Sequence, residues 1–465
     1  MKILGNSQSI CPVCKKVVEA FYISQDGSVF LYKKCEEHGE FQSIIAEKEE
    51  DYTRWVSNQV VNIPPKEALQ KGTPDSQCPL HCGPCENHLQ TACCVLIDVT
   101  ERCNQHCPYC FAKSVSDDGN DLSILEIEKK FDRLLELGEE RTFNIQLSGG
   151  EPTVREDLPE IIKMGRDKGF VYIQINTNGK RIALEDDYAK KLKDAGASVI
   201  FMQFDGTNDA IYESLRGEPL FEIKKRAIEN CRKAGIPVTI VPTIVKNVNL
   251  ENIGSIVDFL LENVDVIKGL HFQPVSFFGR HPDKLPRKGN RTVDFENRVS
   301  LFDMMHQLEI QTNGKLRYSD FYPINSGHTL CSFTSTYQKI GDGEIKSLVN
   351  YDTKVSRKGC CGTIDPLATI KKDRDFVLNK WDLKDYENKC SCNTTNKGTS
   401  CCGSQEMDFD SFLNETKGNM FSVSSMAFQD VSNLDAERLK RCRVQVLSPD
   451  NMLIPFCAYN SIYRK

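Results

Sequence analysis

Two cysteine triplets, Cys78/Cys82/Cys85 and Cys103/Cys107/Cys110, repeat one spacing, with three residues and then two between the thiols. Three close thiolates hold either zinc or an iron–sulfur cluster, and spacing alone does not choose. Context separates the two. The first triplet is followed by Cys93 and Cys94, so a fourth thiolate is at hand. A cluster there would be coordinatively complete and suited to structure or electron transfer. The second triplet opens a loop after the apolar run Val95–Thr100, carries Tyr109 before its last cysteine, and meets no further cysteine until Cys231. A cluster held there would keep one open metal position. Downstream, Ser148-Gly149-Gly150-Glu151-Pro152 closes another apolar run. Glycines at such a place let the backbone approach a ligand closely. The plain alternative, an ordinary β-to-α turn, is weakened by the glutamate directly after two glycines.

The remaining cysteines fall at the chain ends. Cys11-x-x-Cys14 with Cys35-x-x-His38 reads as a four-ligand mononuclear site for zinc, or for iron in a rubredoxin-like module. Between the two pairs, Val17–Tyr32 carries two strand-like runs around Asp26-Gly27, a hairpin signal. At the other end, Cys331, Cys360, Cys361, Cys390, Cys392, Cys401, Cys402, Cys442 and Cys457 supply ligands for a further cluster, or in part lie buried without a metal. Cys442 and Cys457 flank Val444–Ile454, which reads as a hairpin around Pro449-Asp450-Asn451.

The elements that must position these groups alternate in type between about 95 and 280. Predicted strands cover Val95–Thr100, Phe143–Leu147, Val171–Asn176, Val199–Phe204, Val238–Val245 and Gly269–Val275. Helices follow the pattern: a capping box at Ser123–Glu126 opens one with Ile127, Phe131 and Leu134 on one face. Others cover Asp157–Lys168, Tyr188–Ala195, Phe221–Ala234 and Ile253–Glu262, several ending on glycine. That succession predicts an α/β fold, a parallel (β/α)6 partial barrel or open sheet with right-handed crossovers. Four segments result: a metal module at 1–50, a cluster segment at 51–94, the barrel at 95–280 and a cysteine-rich region at 281–465. Chemistry in such folds gathers at the C-terminal strand ends. Cys103, Ser148–Glu151, Asn178 and Asp205 all stand just after predicted strands; the last two are capping groups or ligands.

Composition excludes some functions. The 465 residues carry a formal net charge of -6, with a pI of about 5.9. No basic excess exists to neutralise phosphates, so nucleic acid is not the expected partner. No apolar run reaches the roughly 18 residues of a membrane span, and Met1–Ile10 is too short and polar for a secretory signal. An odd total of 21 cysteines, clumped at close spacings, favours metal binding in a reducing cytoplasm over disulfides.

Cys103-Asn-Gln-His-Cys107-Pro-Tyr-Cys110 after a first strand, with Ser148–Pro152 after the second, resembles the signature of the radical S-adenosylmethionine (SAM) superfamily. The resemblance implies a [4Fe-4S] cluster on Cys103, Cys107 and Cys110 whose open iron chelates SAM. It implies SAM contacts at Tyr109, Ser148, Gly149, Gly150 and Glu151, with Asn178 and Asp205 as further candidates and Arg216 facing the SAM carboxylate or making an ordinary ion pair. The implied chemistry is formation of a 5′-deoxyadenosyl radical that abstracts hydrogen from unactivated C–H bonds, with an external electron donor such as ferredoxin or flavodoxin.

The order of sites narrows the resemblance. Cys11-Pro-Val-Cys14 and Cys35-Glu-Glu-His38-Gly-Glu-Phe41 come first, then Cys78 to His88, then Arg438-Leu-Lys-Arg-Cys442 and Ile454-Pro-Phe-Cys457-Ala-Tyr-Asn460. This layout is similar to the archaeal tetraether lipid synthases and their bacterial relatives, a group that includes proteins described as pterin methylases. It implies one auxiliary cluster on Cys78, Cys82, Cys85 and Cys93, and another drawing on Cys331, Cys442 and Cys457. Ser326 stands where that group has a further cysteine. The expected reaction is coupling of two sp³ carbons of lipid chains, in the cytoplasm, with peripheral membrane contact left open. The alternatives are methylation of a pterin-like small molecule and, in a different class, a multi-cluster electron carrier or metal sensor. The glycine-rich motif argues against the last, since a carrier has no use for it.

Overall fold

The computed structural model describes residues 1–58, 62–65, 78–80, 82–83, 85–114, 119–138, 143–282, 297–324, 327–341, 343–348 and 418–464. Ser326, Pro84 and the cysteines from Cys360 to Cys402 lie outside the described residues.

Alternating apolar residues at the start of the chain form a four-stranded antiparallel sheet: β1 (Lys2–Ile10), β2 (Val17–Gln25), β3 (Ser28–Cys35) and β4 (Gly39–Ala46). Asp26 and Gly27 both adopt positive φ, 53° and 82°, so the expected hairpin closes there through a tight turn. The sequence reading found β2 and β3 but not the flanking β1 and β4. The helix α1 (Glu49–Val56) follows and buries Tyr52 and Trp55.

The central sheet begins with β5 (Cys94–Thr100). Then come α2 (Ile124–Leu137), β6 (Asn144–Gly149), α3 (Leu158–Asp167), β7 (Ile173–Thr177), α4 (Lys180–Leu184), α5 (Tyr188–Ala195) and β8 (Val199–Gln203). The helices α6 (Asp209–Arg216) and α7 (Phe221–Ala234) lead to β9 (Val238–Val241), the two-residue β10 (Thr243–Ile244), α8 (Ile253–Glu262) and β11 (Ile267–Pro274). Strands pair in parallel in the order β5-β6-β7-β8-β9-β11, the succession of β/α units expected. Side chains such as Val95, Ile97, Ile145, Leu147, Ile173 and Ile175 are wholly buried. They face the helices, whose apolar stripes cover the sheet. The Ser123 box opens α2: Glu126 N–H donates to Ser123 Oγ and Ser123 N–H to Glu126 Oε2.

The sheet extends further than local patterning indicated. After α9 (Leu301–Gln311), β12 (Ser332–Ile340) and β13 (Glu344–Ser347) form a hairpin, and β14 (Met420–Met426) inserts parallel to β11 and antiparallel to β12. On the opposite edge, after the short α10 (Ala436–Lys440), β15 (Val444–Leu447) pairs parallel to β5 and antiparallel to β16 (Leu453–Pro455). The β15–β16 hairpin matches the expected turn, with Asn451 at φ 58°. The C-terminal region, expected to be irregular, therefore flanks both edges of the six-strand core.

The N-terminal sheet docks on the segment before α10. Tyr22 OH and Ser7 Oγ both donate to the buried Asp435 carboxylate. Lys33 Nζ, itself wholly buried, reaches Ser9 Oγ at 3.0 Å and the Val431 carbonyl at 2.8 Å. Trp55 Nε1 donates to the Thr329 carbonyl, and its ring meets Phe302 of α9 edge-on. Among the described residues, no helix is long and apolar enough to cross a membrane.

Candidate active site

β5 ends at Thr100, and the chain turns at once into the Cys103–Cys110 loop. The glycine turn at the end of β6 is sewn to that loop: Gly150 N–H donates to the Thr100 carbonyl at 2.8 Å and Glu151 N–H to the Arg102 carbonyl at 2.9 Å. Gly149 has φ 129°. A Cβ on Gly149 would lie 2.2 Å from Thr100 O, and one on Gly150 would lie 2.1 Å from Arg102 O. Only glycine allows this approach, and the approach fixes the two loops relative to each other.

The third and fourth strand ends complete the rim. Asn178 Nδ2 donates to Asn104 Oδ1 at 2.7 Å, tying β7 to the cysteine loop. Glu151 is 2% exposed, and protein groups use its carboxylate: Thr153 Oγ1 and Thr177 Oγ1 donate to Oε1, and Asn178 N–H to Oε2, each at 2.6 Å. Asp205 and Arg216 form a buried two-pronged ion pair at 2.6 and 2.8 Å. Burial opposes the Arg216 charge, and the Asp205 carboxylate more than offsets it, raising the guanidinium pKa. The remaining Arg216 contacts go to the Tyr109 carbonyl at 3.0 Å and Thr243 Oγ1 at 2.9 Å. Arg216 thus braces the cysteine loop from below.

The three thiols of that loop face one cavity. Burial, then the Glu151 carboxylate, push Cys103 up to about 12. Burial likewise raises Cys107 against the pull of Arg216. Thiolates in such a place need a cation to balance them. Arg280 backs the loop: its Nε donates to the Cys107 carbonyl at 2.8 Å, and its backbone exchanges two hydrogen bonds with Cys110. Its Nη2 is buried without a hydrogen-bond partner among the described residues, though Arg280 lines the cavity. Three convergent thiols, a glycine cradle and an unpartnered guanidinium nitrogen fit a cysteine-bound iron–sulfur cluster with a bound SAM.

The cavity measures about 460 Å³ and is lined from β5, β6, β7, β8, β9, β11, β14 and β15, so the sheet curls around it. Tyr109, Ser148, Gly149, Gly150, Glu151, Asn178 and Arg216 line it with the three cysteines; Asp205 stands behind Arg216. Cys93, expected in an auxiliary cluster, also lines this cavity, beside Cys94. Part of its lining is aromatic: Phe456 packs against Phe111, Phe278 and Phe428. Its barrel wall is polar, with Gln146, Asn176, Gln203, His271 and Gln273. His271 Nδ1 meets Ser424 Oγ at 2.9 Å, and burial lowers its pKa to about 4, so the ring is neutral. None of the wall residues was singled out from sequence. The signal was there: Gln146 and Ser148 on β6, and Gln174 and Asn176 on β7, alternate with isoleucine and leucine at period two.

Cys11, Cys14, Cys35 and His38 place one ligand atom each within 4.8 Å of one another, the compactness a single ion needs. The two pairs come from the β1–β2 and β3–β4 turns. Burial raises Cys11 to about 11. For Cys35, His38 and backbone amides outweigh burial and lower it to about 7.

Elsewhere, the Cys78 thiol and burial raise the Cys82 thiol, to which Cys442 and Cys85 add. Burial, then Cys457 and Cys331, raise Cys442. The buried Arg438 donates to Cys331 Sγ at 3.4 Å, and Gln429 N–H to Cys457 Sγ at 3.2 Å. Cys457 and Cys331 thus lie near enough to Cys442, and Cys442 to Cys82, to act on its thiol electrostatically.

A curled parallel sheet whose first strand delivers three thiols and whose second delivers a fused glycine cradle defines a radical SAM enzyme. Residues 97–260 match the radical SAM superfamily, and residues 3–47 match the HMPTM N-terminal zinc ribbon domain. Within that superfamily the chain belongs to the family of the 7,8-dihydro-6-hydroxymethylpterin dimethyltransferase of Methanocaldococcus jannaschii. The two are 35% identical over 486 residues, covering 98% of this chain and 93% of that protein. The Fe-coproporphyrin III synthase of Methanosarcina barkeri is 33% identical over 222 residues, covering 47% of this chain and 52% of that one. Among solved structures, SAM-bound SuiB of Streptococcus suis aligns with a TM-score of 0.38 at 16% identity, over 49% of this chain and 48% of that one. The expected coupling of lipid chains finds no support in these relatives; the full-length match carries a pterin methyltransferase name instead.

Proposed function

We propose that this chain is a radical SAM methyltransferase acting on a pterin-like small molecule. The observation that carries the reading is the match to a pterin dimethyltransferase over 98% of this chain. The cavity supports it. A wall of side-chain amides and a neutral imidazole beside the cysteine loop suits a flat, hydrogen-bonding heterocycle. Long paired hydrocarbon chains would give the remaining hydrogen-bonding capacity of Gln146 and Asn176 no partner.

Cys103, Cys107 and Cys110 would hold the [4Fe-4S] cluster, with Gly149 and Gly150 bringing backbone to SAM. The cluster and SAM, when bound, supply a one-electron cleavage that delivers a carbon-centred radical. The chain's own residues do the rest. Glu151 and Asn178 lock the strand ends, the Asp205–Arg216 pair fixes the loop below Tyr109, and the aromatic rings around Phe456 give the cavity an apolar side. Cys11, Cys14, Cys35 and His38 would hold zinc or iron. Cys78, Cys82, Cys85 and Cys93, and Cys331, Cys442 and Cys457, are the proposed auxiliary cluster ligands, fed by an external reductant.

Release of 5′-deoxyadenosine under anaerobic reducing conditions tests the reading. Adding 7,8-dihydro-6-hydroxymethylpterin should stimulate release severalfold, and polar lipid extract should not. Stimulation by lipid alone would refute the pterin assignment.

A further inference from the structure

Lys224 of α7 is wholly buried, and none of the chemistry above uses it. Its Nζ donates to the Asn178 carbonyl at 2.5 Å and to Gln203 Oε1 at 2.8 Å, and stands 5.8 Å from the centre of the Tyr212 ring. Both hydrogen-bond partners are neutral, and Lys224 makes no ion pair among the described residues. A buried ammonium is costly to hold without a bonded counter-charge.

Two short hydrogen-bonded routes join Lys224 to the cysteine loop. In the first, Asn178 passes from its carbonyl to its side chain, whose Nδ2 donates to Asn104 Oδ1 at 2.7 Å. In the second, Gln203 Nε2 donates to the Asp205 carboxylate, which holds Arg216, and Arg216 donates to the Tyr109 carbonyl at 3.0 Å. An ammonium only donates and a carboxylate paired with arginine only accepts, so the Gln203 amide between them has one orientation.

Glu151, Asp205, Arg216 and Lys224 are the buried charges at these strand ends, and they sum to zero. Asp205 pairs with Arg216 directly. Glu151 and Lys224 instead flank one residue: Asn178 donates its N–H to Glu151 and offers its carbonyl to Lys224. Burial lowers the Lys224 pKa to about 7; the Asp205 carboxylate leads the groups that oppose this, with Glu151 and the Cys107 thiol behind it. Charges in such an interior are weakly screened. Three thiolates around an oxidised [4Fe-4S] core leave one net negative charge, and one electron from an external low-potential donor makes it two. The potential of such a cluster follows its net charge, hydrogen bonding and exposure. With lysine at position 224 the strand-end groups meet that electron without net charge. With a neutral residue there, they would meet it with a net negative charge.

We infer that Lys224 is a positioning residue whose buried positive charge raises the reduction potential of the cluster held by Cys103, Cys107 and Cys110. The inference rests on the ligand assignment of the cysteine loop and is independent of the pterin reading.

The test is a redox titration at neutral pH, followed by electron paramagnetic resonance, with anaerobically reconstituted full-length protein. The wild type is compared with Lys224→Met. The signal of the cysteine-loop cluster is the one missing when Cys103, Cys107 and Cys110 are all replaced by alanine. At a fixed solution potential, the ratio of reduced to oxidised cluster should fall about tenfold in Lys224→Met, a midpoint about 59 mV lower. Signals that survive in the triple-alanine variant should keep their midpoints. If Lys224→Met does not retain its iron, Lys224→Gln, which keeps an N–H donor and removes the charge, carries the same expectation. A ratio within about twofold of the wild type would overturn the inference. So would loss of iron with an unchanged potential in what remains, since that is the mark of packing alone, and so would failure of both variants to hold the cluster. If no signal is missing from the triple-alanine variant, the ligand assignment falls, and the inference with it.

Discussion

At the scale of single residues, chemistry and architecture divide differently from what residue type suggests. Glu151 and Asp205, just after strands, and Arg216, at the end of α6, are charged residues of the kind that touch ligands, yet their charges are spent on protein partners: Glu151 on Thr153, Thr177 and Asn178, and Asp205 on Arg216. In the cysteine loop, by contrast, Cys107 meets Gln105 Oε1 only at 3.8 Å and stands by the Arg216 guanidinium. Replacing Cys103, Cys107 or Cys110 with alanine should each abolish 5′-deoxyadenosine formation while most of the protein's iron remains bound, as metal analysis beside the anaerobic assay will show. Full cleavage by the triple-alanine variant would remove the triplet from the chemistry. The triplet and the glycines were legible in the sequence because each is a run of neighbouring residues with its own spacing. The wall of the cavity was not read. Gln146, Asn176 and His271 come from three strands far apart in sequence, and only the curl of the sheet brings them together.

At the scale of elements, Asp435 joins the two ends of the chain. Its carboxylate caps α10 through Glu437 N–H at 2.8 Å and accepts from Ser7 and Tyr22 of the N-terminal sheet. It thus couples the metal-binding sheet to the segment that carries Arg438 and Cys442. Asp435→Ala removes a cap and leaves the Tyr22 hydroxyl buried without an acceptor. The expected loss of stability is about 2–4 kcal/mol, from a lost cap and an orphaned buried hydroxyl. Denaturant unfolding of the metal-loaded protein measures it, and a loss under about 0.5 kcal/mol, the range of ordinary surface substitutions, would remove Asp435 as a hub. The five core helices and six core strands were legible because their apolar periodicity is local. Two short helices were not. α4 spans five residues and α6 eight, too few for a periodic stripe to stand out. β14 escaped for another reason: Met420–Met426 alternates with serine, and its identity as a parallel strand depends on β11, about 150 residues earlier in sequence.

At the scale of the whole molecule, the C-terminal region completes the cavity from both edges of the sheet. Phe428 and Phe456 line it, and Met426 and Val444 bring in the two flanking strands. A substrate would therefore sit within the barrel, beside the cysteine loop, the amide wall and the aromatic rings. The sequence resemblance reached the correct superfamily and a group containing both lipid and pterin enzymes. It favoured the lipid reading because the motifs that carry the resemblance bind metals and SAM and report nothing about substrate. The polar face of the barrel wall, which a metal-centred reading passes over, is what a substrate in the cavity would meet.

The most direct test of pterin methylation is mass spectrometry of the pterin pool in cells that express the protein anaerobically, compared with cells that express Cys103→Ala at the same level. The account predicts 6-hydroxymethylpterin derivatives carrying one or two additional methyl groups in the first culture and none in the second. An unchanged pterin pool, from cells whose purified protein still cleaves SAM, would contradict it.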